Sequence, residues 1–370
     1  MHANFPFLRT IRIAAAVLYG ALALSATAAE TASAAASAAS KPAIALLLPA
    51  KSKSLKAATE QIRAGVLAAE RQLGNADIPP VRLYDTTDTE SDVLAQLERA
   101  QQEGAVAIIG PLSKSAVNYI ADNGQLSVPV LALNSFDNTT LQRPQLFSFS
   151  LSIEAEASQL AALIHEGGLR RPVLLQGDGA LAPRMVQGFI DSWLRLTGEP
   201  PIVLDLADPA NPPAQLGKII TDANADSVIL ATSNKQAKLV RPYLGNERLV
   251  FGTSQIDSGT QKASIDLAGV RFLDMPWLAT PELEDYAVFQ RKRLASPDLE
   301  RLFALGLDAW RIAAALATAS GEKEFSGVTG QLRIGDDGVI SRELVLRTVP
   351  GRVGGTPPAA TEPATAPAVP

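Results

Sequence analysis

Residues 44–49 read Ile44-Ala45-Leu46-Leu47-Leu48-Pro49, an apolar run closed by a proline. Behind it, Leu55, Ala58, Ile62, Val66, Ala69 and Leu73 recur at three- and four-residue spacing, which places them on one face of a helix. An apolar run without alternation is the mark of a strand covered on both sides, as in a parallel sheet. The unit then repeats. Val81–Tyr84, Val106–Ile109 and Val128–Leu133 are further short runs, most of them bounded by Pro, Gly or Asp. Between them lie a helix through Val93, Leu94, Leu97 and Ala100, ended by Gly104, and another after Pro111 with Val117 and Ile120. Alternation of this kind predicts an open parallel sheet with right-handed crossovers and helices on both faces.

The pattern starts afresh after Leu146–Leu151. Ala157, Leu160, Ala161 and Ile164 form a helix face, and Val173–Leu175, Ile202–Leu206, Val228–Leu230 and Leu249–Phe251 are four strand candidates. Helices are expected around Arg184–Arg195, Gln215–Asp222 and Gln236–Leu244. Two sheets of this size are better accommodated as two lobes than as one. The last stretch differs: a strand at Val270–Met275, helices near Glu282–Leu294 and Leu299–Ala319, and a hairpin of Leu332–Ile334 and Val339–Leu346 turned by Asp336-Asp337-Gly338. The expected division is 42–150 plus 278–325 for lobe 1 and 151–277 plus 326–349 for lobe 2, with three crossings between them.

Both ends read differently. Arg9 and Arg12, the apolar run Ile13–Leu24 and the small-residue pattern Ala26-Thr27-Ala28 form a secretory leader over residues 1–29. Residues 30–41 are an Ala/Ser/Thr-rich spacer, and residues 350–370 a Pro/Ala/Thr-rich tail expected to be disordered. No run after the leader is long enough to cross a bilayer. The expected location is therefore the periplasm of a Gram-negative envelope.

Composition excludes several classes of chemistry. There is no cysteine, hence no disulfide, thiol nucleophile, thiolate metal site or lipid-anchor cysteine. The 33 basic residues against 38 acidic ones, with 5 % aromatics, argue against nucleic acid as a partner. His165 is the one histidine after the leader, so no His–His or His–carboxylate metal spacing exists. There is no Gly-x-Gly-x-x-Gly after a strand and no Walker loop. Gly252-Thr253-Ser254-Gln255-Ile256 lacks the last glycine of a nucleophile elbow, and Ser320-Gly321-Glu322-Lys323 has no companion motifs. The reading is a non-enzymatic protein without metal or cofactor.

In open α/β sheets, ligands meet the carboxyl ends of strands. Candidates at those ends are Lys51, Ser113, Lys114, Ser115, Asn134 and Ser135 in the first lobe, and Asp178, Ser233 and Ser254 in the second. The segment Ser113–Ser115 opens a helix, where free N–H groups favour an anion; Ser113 serves equally as an ordinary helix cap. Asp178 and Asp274 are the candidates for a ligand ammonium.

Three motifs add a resemblance. Arg271-Phe272-Leu273-Asp274-Met275-Pro276-Trp277, Arg301-Leu302-Phe303-Ala304-Leu305-Gly306-Leu307-Asp308-Ala309, and Phe325-Ser326-Gly327-Val328-Thr329-Gly330 leading into the Asp-Gly hairpin are similar to the C-terminal domain of the penicillin-binding-protein activators, the LpoA/LppC lipoprotein family. Residues 44–49 with Ile62-Arg63-Ala64-Gly65, and Val106–Pro111 with Val128–Asn134, resemble type I periplasmic binding proteins more generally. The resemblance covers about Pro42 to Val349. It implies a two-lobed type I periplasmic-binding-protein fold in a lipoprotein that contacts a bifunctional peptidoglycan synthase and stimulates transpeptidation. Two departures are expected from the sequence: no anchoring through a cysteine, and no helical-repeat domain between the leader and Ile44. The alternative expectation is a receptor for an amino acid or similar small polar ligand, feeding an ABC permease.

Overall fold

The computed structural model describes residues 41–137, 143–259, 265–289 and 293–351. The leader, all but Lys41 of the spacer, and the tail beyond Gly351 lie outside the described residues. The fold is α/β, with two largely parallel sheets flanked by helices.

The first sheet has the order β2-β1-β3-β4-β5, all parallel, from β1 (Ala43–Leu48), β2 (Val81–Asp85), β3 (Ala105–Ile109), β4 (Val130–Ala132) and β5 (Leu146–Ser148). Every residue of β1 is buried. Alternate side chains of a strand point to opposite faces, and here each face has its own core. Ala45 and Leu47 pack with Val93 and Leu97 of α2 (Glu90–Gln102) and with Val117 and Ile120 of α3 (Lys114–Asn123). Ile44, Leu46 and Leu48 pack with Ile62 and Val66 of α1 (Lys56–Leu73).

The second sheet has the order β14-β10-β9-β8-β6-β7. Its parallel strands are β6 (Pro172–Gln176), β7 (Ile202–Asp205), β8 (Ser227–Ala231), β9 (Leu249–Gly252) and β10 (Arg271–Asp274), and β14 (Val345–Thr348) runs antiparallel to β10. One face is covered by α4 (Ile153–Glu166) and α5 (Ala182–Thr197), through Leu160, Ile164, Phe189 and Trp193. The other is covered by α6 (Leu216–Asp222) and α7 (Asn234–Val240). His165 sits near the end of α4, its ring edge-on to Trp193 at 5.9 Å.

After β10 the chain returns to the first lobe. Two single turns follow, α8 (Pro276–Ala279) and α9 (Glu284–Ala287), and then α10 (Pro297–Ala317), capped by Ser296, whose hydroxyl accepts from the Leu299 N–H. The long helix expected over Glu282–Leu294 is thus one turn among the described residues. Its Tyr286 and the following Phe289 pack against Trp277, tilted at 5.3 Å and edge-on at 6.3 Å. Helices α1 and α10 touch backbone to backbone at two glycines. A Cβ at Gly65 would lie 2.1 Å from the Phe303 carbonyl oxygen, and one at Gly306 2.2 Å from that of Ile62.

The expected lobe boundary needs correcting at two places. Met275 and Trp277 pack in the first core. Residues 326–349 also divide. Strands β11 (Glu324–Ser326), β12 (Gln331–Ile334) and β13 (Ile340–Glu343) form a small antiparallel sheet whose Val328, Leu332, Ile334 and Ile340 belong to the first core; only β14 joins the second sheet. The run expected as a single strand over Val339–Leu346 breaks at Leu344. There Gln159 of α4 replaces the ladder: its Nε2 donates to the Arg342 carbonyl at 2.5 Å, and its Oε1 accepts from the Leu344 N–H at 2.9 Å. The chain crosses between lobes three times, after β5, after β10 and between β13 and β14.

The glycine crossing has a measurable consequence. Gly306→Ala puts a methyl group into backbone, and overpacking of this kind costs ~1–3 kcal/mol or more. Its urea midpoint should fall clearly, whereas Gly168→Ala, with open space around its Cβ position, should lose only the smaller penalty of a positive-φ site.

Candidate binding site between the lobes

All three crossings converge on a cavity of about 230 Å³, and charged side chains from both lobes line it. Helix α4 begins after Ser152, whose hydroxyl accepts from the Ala155 N–H at 3.1 Å. That start sets the helix phase and carries Glu156 inward beside Ile153 and Leu160, where only 6 % of it is exposed. Its carboxyl group accepts from the Ser254 backbone N–H and from the Ser254 hydroxyl at 2.9 Å. Burial pushes its pKa up to about 7, against the opposing effect of those Ser254 bonds.

Arg301 comes from the first turns of α10, in phase with Ala304, Leu305, Asp308 and Ile312, and is equally buried. Its guanidinium grips Asp274 at the end of β10 as a two-pronged fork, Nε to Oδ1 at 3.1 Å and Nη2 to Oδ2 at 3.0 Å. It also donates to Asp298 Oδ1 at 2.9 Å and to the Ser254 carbonyl at 3.3 Å. Burial alone would weaken its charge, but the Asp274 carboxylate outweighs that and holds the proton more firmly than in water. Arg347 of β14 reaches the same Asp274 Oδ2 at 3.0 Å and Asp257 Oδ2 at 3.1 Å, with its guanidinium over the Phe272 ring. Asp274 therefore carries two guanidinium groups, one from α10 of the first lobe and one from β14 of the second, and its Oδ1 also accepts from the Met275 N–H.

A second buried carboxylate orders the wall behind this cluster. Asp308 accepts from the N–H groups of Val328 and Thr329 at 3.1 and 2.7 Å and from the Thr329 hydroxyl at 2.7 Å. Burial raises its pKa. A Cβ at Gly327 would stand 2.6 Å from its Oδ2, which accounts for the glycine in Phe325–Gly330. Asp308 thereby ties the small sheet to α10.

The residues expected to bind ligand are mostly not gathered here. Ser254 and Asp274 line the cavity; the other eight do not. Ser113 caps α3 and Ser233 caps α7, accepting from Ala116 and Gln236. Lys114 pairs with Asp137 at 2.6 Å, and Ser115 bonds Glu90. Asn134 donates to the Leu112 carbonyl at 3.0 Å and accepts from the Ser135 N–H, so the pair shapes its own loop. Lys51 is exposed, and its N–H donates to the Thr86 carbonyl; Asp178 is exposed. Asp274, expected to meet a ligand ammonium, instead has its oxygens taken by Arg301 and Arg347. The Ser254 hydroxyl is taken by Glu156. The residues that build the site, Glu156, Arg301, Arg342 and Arg347, were not among those expected. Glu156 and Arg301 carried a legible signal, since each is a charge in phase with an apolar helix stripe. Arg342 carried none, since its strand was read without the break at Leu344, and Arg347 lay just beyond the end of that expected strand.

Two lobes of parallel sheet, joined by three crossings with a cavity at the junction, define a two-lobed binding protein of the type I periplasmic class. The chain belongs to the LppC family: the profile described as "LppC putative lipoprotein" matches residues 32–222 and 214–347. Among curated relatives, the penicillin-binding protein activators LpoA of Pectobacterium parmentieri and Klebsiella pneumoniae are 29 % and 30 % identical over 320 and 307 residues, 72 % and 71 % of this chain. Those stretches are 46 % and 43 % of the relatives, so the chain spans about half their length. Among solved structures, one from Chromobacterium violaceum described as a "putative branched-chain amino acid ABC transporter" is 33 % identical, with a TM-score of 0.71 over 83 % of this chain and all of that one. The C-domain of Haemophilus influenzae LpoA, described as a regulator of PBP1A, is 24 % identical with a TM-score of 0.69 over 83 % of this chain and 97 % of that one, a likeness of fold. Among the described residues no helix is long and apolar enough to cross a membrane.

Two measurements test the cluster. Glu156 titrates near 7 in the fold and near 4.5 in the unfolded chain, so between those values the folded state binds the extra proton. Its contribution is full below pH ~4.5 and is lost as the pH rises through ~7, a change on the order of 3 kcal/mol. Urea unfolding of the wild type should weaken from pH 5 to pH 8, and Glu156→Gln should flatten that slope. Arg301→Ala strands Asp274 with half its counter-charge and should cost ~3–5 kcal/mol in the same assay.

Proposed function

We propose that this chain is a non-catalytic periplasmic regulator of peptidoglycan synthesis, acting by contact with a penicillin-binding protein. The observation that carries the reading is family membership spanning both lobes: the relatives named as penicillin-binding protein activators align across some 70 % of the chain. The cluster is consistent with it. A transport receptor opens and closes about its hinge, whereas Asp274 joins β10 of one lobe to α10 of the other through a buried two-pronged pair. A junction so tied suits a surface held at constant shape for a partner. The leader with Arg9, Arg12 and Ile13–Leu24 supports export to the same compartment as the synthase.

A second reading, a solute receptor for an ABC permease, is favoured by one observation: the likeness to the Chromobacterium violaceum protein covers the whole of that chain. The two diverge in one experiment. The purified chain is added to the bifunctional peptidoglycan synthase of its own organism, and cross-linking of a lipid-linked precursor is followed alongside co-retention on an affinity column. The regulator reading expects association and a rise in cross-linked product. Absence of both at micromolar concentrations would overturn it.

A further inference from the structure

We propose that the free edge of β14 is where the synthase docks: an extended segment of that partner, carrying an acidic side chain, adds to the second sheet as a seventh strand. This rests on the regulator reading above and names the surface that serves it.

Strand β14 lies at one edge of its six-stranded sheet. The Val349 N–H donates to the Val270 carbonyl at 2.8 Å, and the Val349 carbonyl accepts from the Gly269 N–H at 3.0 Å. Successive residues of an antiparallel strand present their main-chain groups to opposite sides. With Arg347 opposite Phe272 and Val345 opposite Asp274, the residues that face β10 are Val345, Arg347 and Val349. The N–H and C=O groups of Leu346 and Thr348 face outward. The side chains of Val345, Leu346 and Thr348 are exposed.

An open strand edge is a template for another chain, and folded proteins stand groups against it. The other five sheet edges of this protein have them. On β2 the Val81 N–H donates to Glu70 Oε1 at 2.6 Å, and on β5 the Ser148 N–H donates to the Gly338 carbonyl at 2.9 Å. Strand β7 follows Pro200-Pro201, and its Asp205 carbonyl accepts from Asn211 Nδ2 at 2.9 Å. On β11 the Ser326 carbonyl accepts from Arg311 Nη1 at 3.1 Å, and β13 is closed by Gln159. Nothing of the kind stands against Leu346 or Thr348 among the described residues.

A groove of about 830 Å³ borders this edge and shares no lining residue with the cavity at the crossings. Thr348 and Val349 line it from the second lobe, and Leu278, Pro281 and Leu294 from the first. It gives an extended chain room beside β14, four residues of which span ~13 Å. Of the two carboxylates on its wall, Asp257 holds Arg347 at 3.1 Å, and Glu300 is buried and accepts from the Leu294 N–H at 3.3 Å. Arg293 is exposed, donates to the Gly259 carbonyl, and has no carboxylate partner among the described residues. The charge shown to a visiting strand is therefore positive, which selects an acidic side chain. A second copy would bring β14 itself, whose one charged side chain is Arg347, the wrong sign for this groove. Strand addition of this kind takes its affinity from main-chain bonds and its specificity from the side chains beside them.

Amide hydrogen exchange of the purified full chain, alone and with the bifunctional synthase of its own organism, reads the edge directly. The Leu346 and Thr348 amides are expected to exchange at least about tenfold more slowly in the complex than in the free chain. Thr348→Pro removes an outward donor and leaves the bonds to β10, a position where a strand tolerates proline. It should weaken association at least about fivefold, the scale of one main-chain hydrogen bond, with the urea midpoint little changed. Arg293→Glu should weaken association as well. Unchanged exchange at both amides in a complex that forms, or undiminished association by folded Thr348→Pro, overturns the proposal and leaves the regulator reading standing. Slow exchange in the free chain at every dilution assigns the edge to the chain's own remainder, and slow exchange that grows as the free chain is concentrated assigns it to a second copy; either overturns the proposal. No association by the wild type overturns both ideas. If Thr348→Pro does not fold, the exchange of the wild type decides.

Discussion

One carboxylate organises the junction of this protein. Asp274 closes the last parallel strand of the second sheet, sits 1 % exposed, and receives a guanidinium from α10 and another from β14. A lone carboxylate so deeply buried would be protonated or expelled. Two guanidinium groups supply its counter-charge, and they arrive from segments that follow the second and third crossings. The pairing therefore requires that each crossing be completed and in register. Replacing such a cluster by apolar residues is often neutral for stability, whereas removing one partner alone leaves an uncompensated buried charge. At this junction the partners come from segments that meet only where one lobe is seated against the other.

The rest of the molecule supplies what that pairing needs. Strand β1 anchors two cores at once, with Leu46 facing one and Leu47 the other. Gly65 and Gly306 let α1 and α10 close to backbone contact, which brings the start of α10, and hence Arg301, to the junction. Gln159 stops the last strand of the small sheet and redirects it, so that Arg342 stays with the first lobe and Arg347 reaches the second. A chain of this kind has a two-lobed binding-protein fold whose hinge has been filled with charge.

Much of the fold was legible in the sequence because its signals are local. Continuous apolar runs such as Ile44–Leu48 and Val228–Leu230 announce strands covered on both faces, and the stripe from Leu55 to Leu73 announces a helix. The Asp336-Asp337-Gly338 turn was legible too, since Gly338 takes a φ of +79°. The break at Leu344 was not. Nothing in Val339–Leu346 distinguishes one strand from two, and the decisive group is a glutamine some 185 residues earlier in the chain. The binding site was hidden for a related reason. Reasoning from strand ends points to loop hydroxyls such as Ser113 and Ser233, which the backbone consumes as helix caps. The charges that meet between the lobes come instead from helix interiors and a strand break, and their partners are known only once three distant segments converge.

The threefold passage of the chain between lobes also bears on how the molecule is assembled. The first lobe's inner core opens with Ile44 and is not complete until Ile340 arrives, a separation of roughly 300 residues, and contacts so distant along the chain form slowly. Neither lobe is one uninterrupted stretch of polypeptide, so neither can finish folding as a vectorially emerging chain is delivered. A protein threaded across a membrane amino end first would hold its earliest strands half-covered until its last hairpin had followed, and would depend on being kept from aggregation throughout that interval.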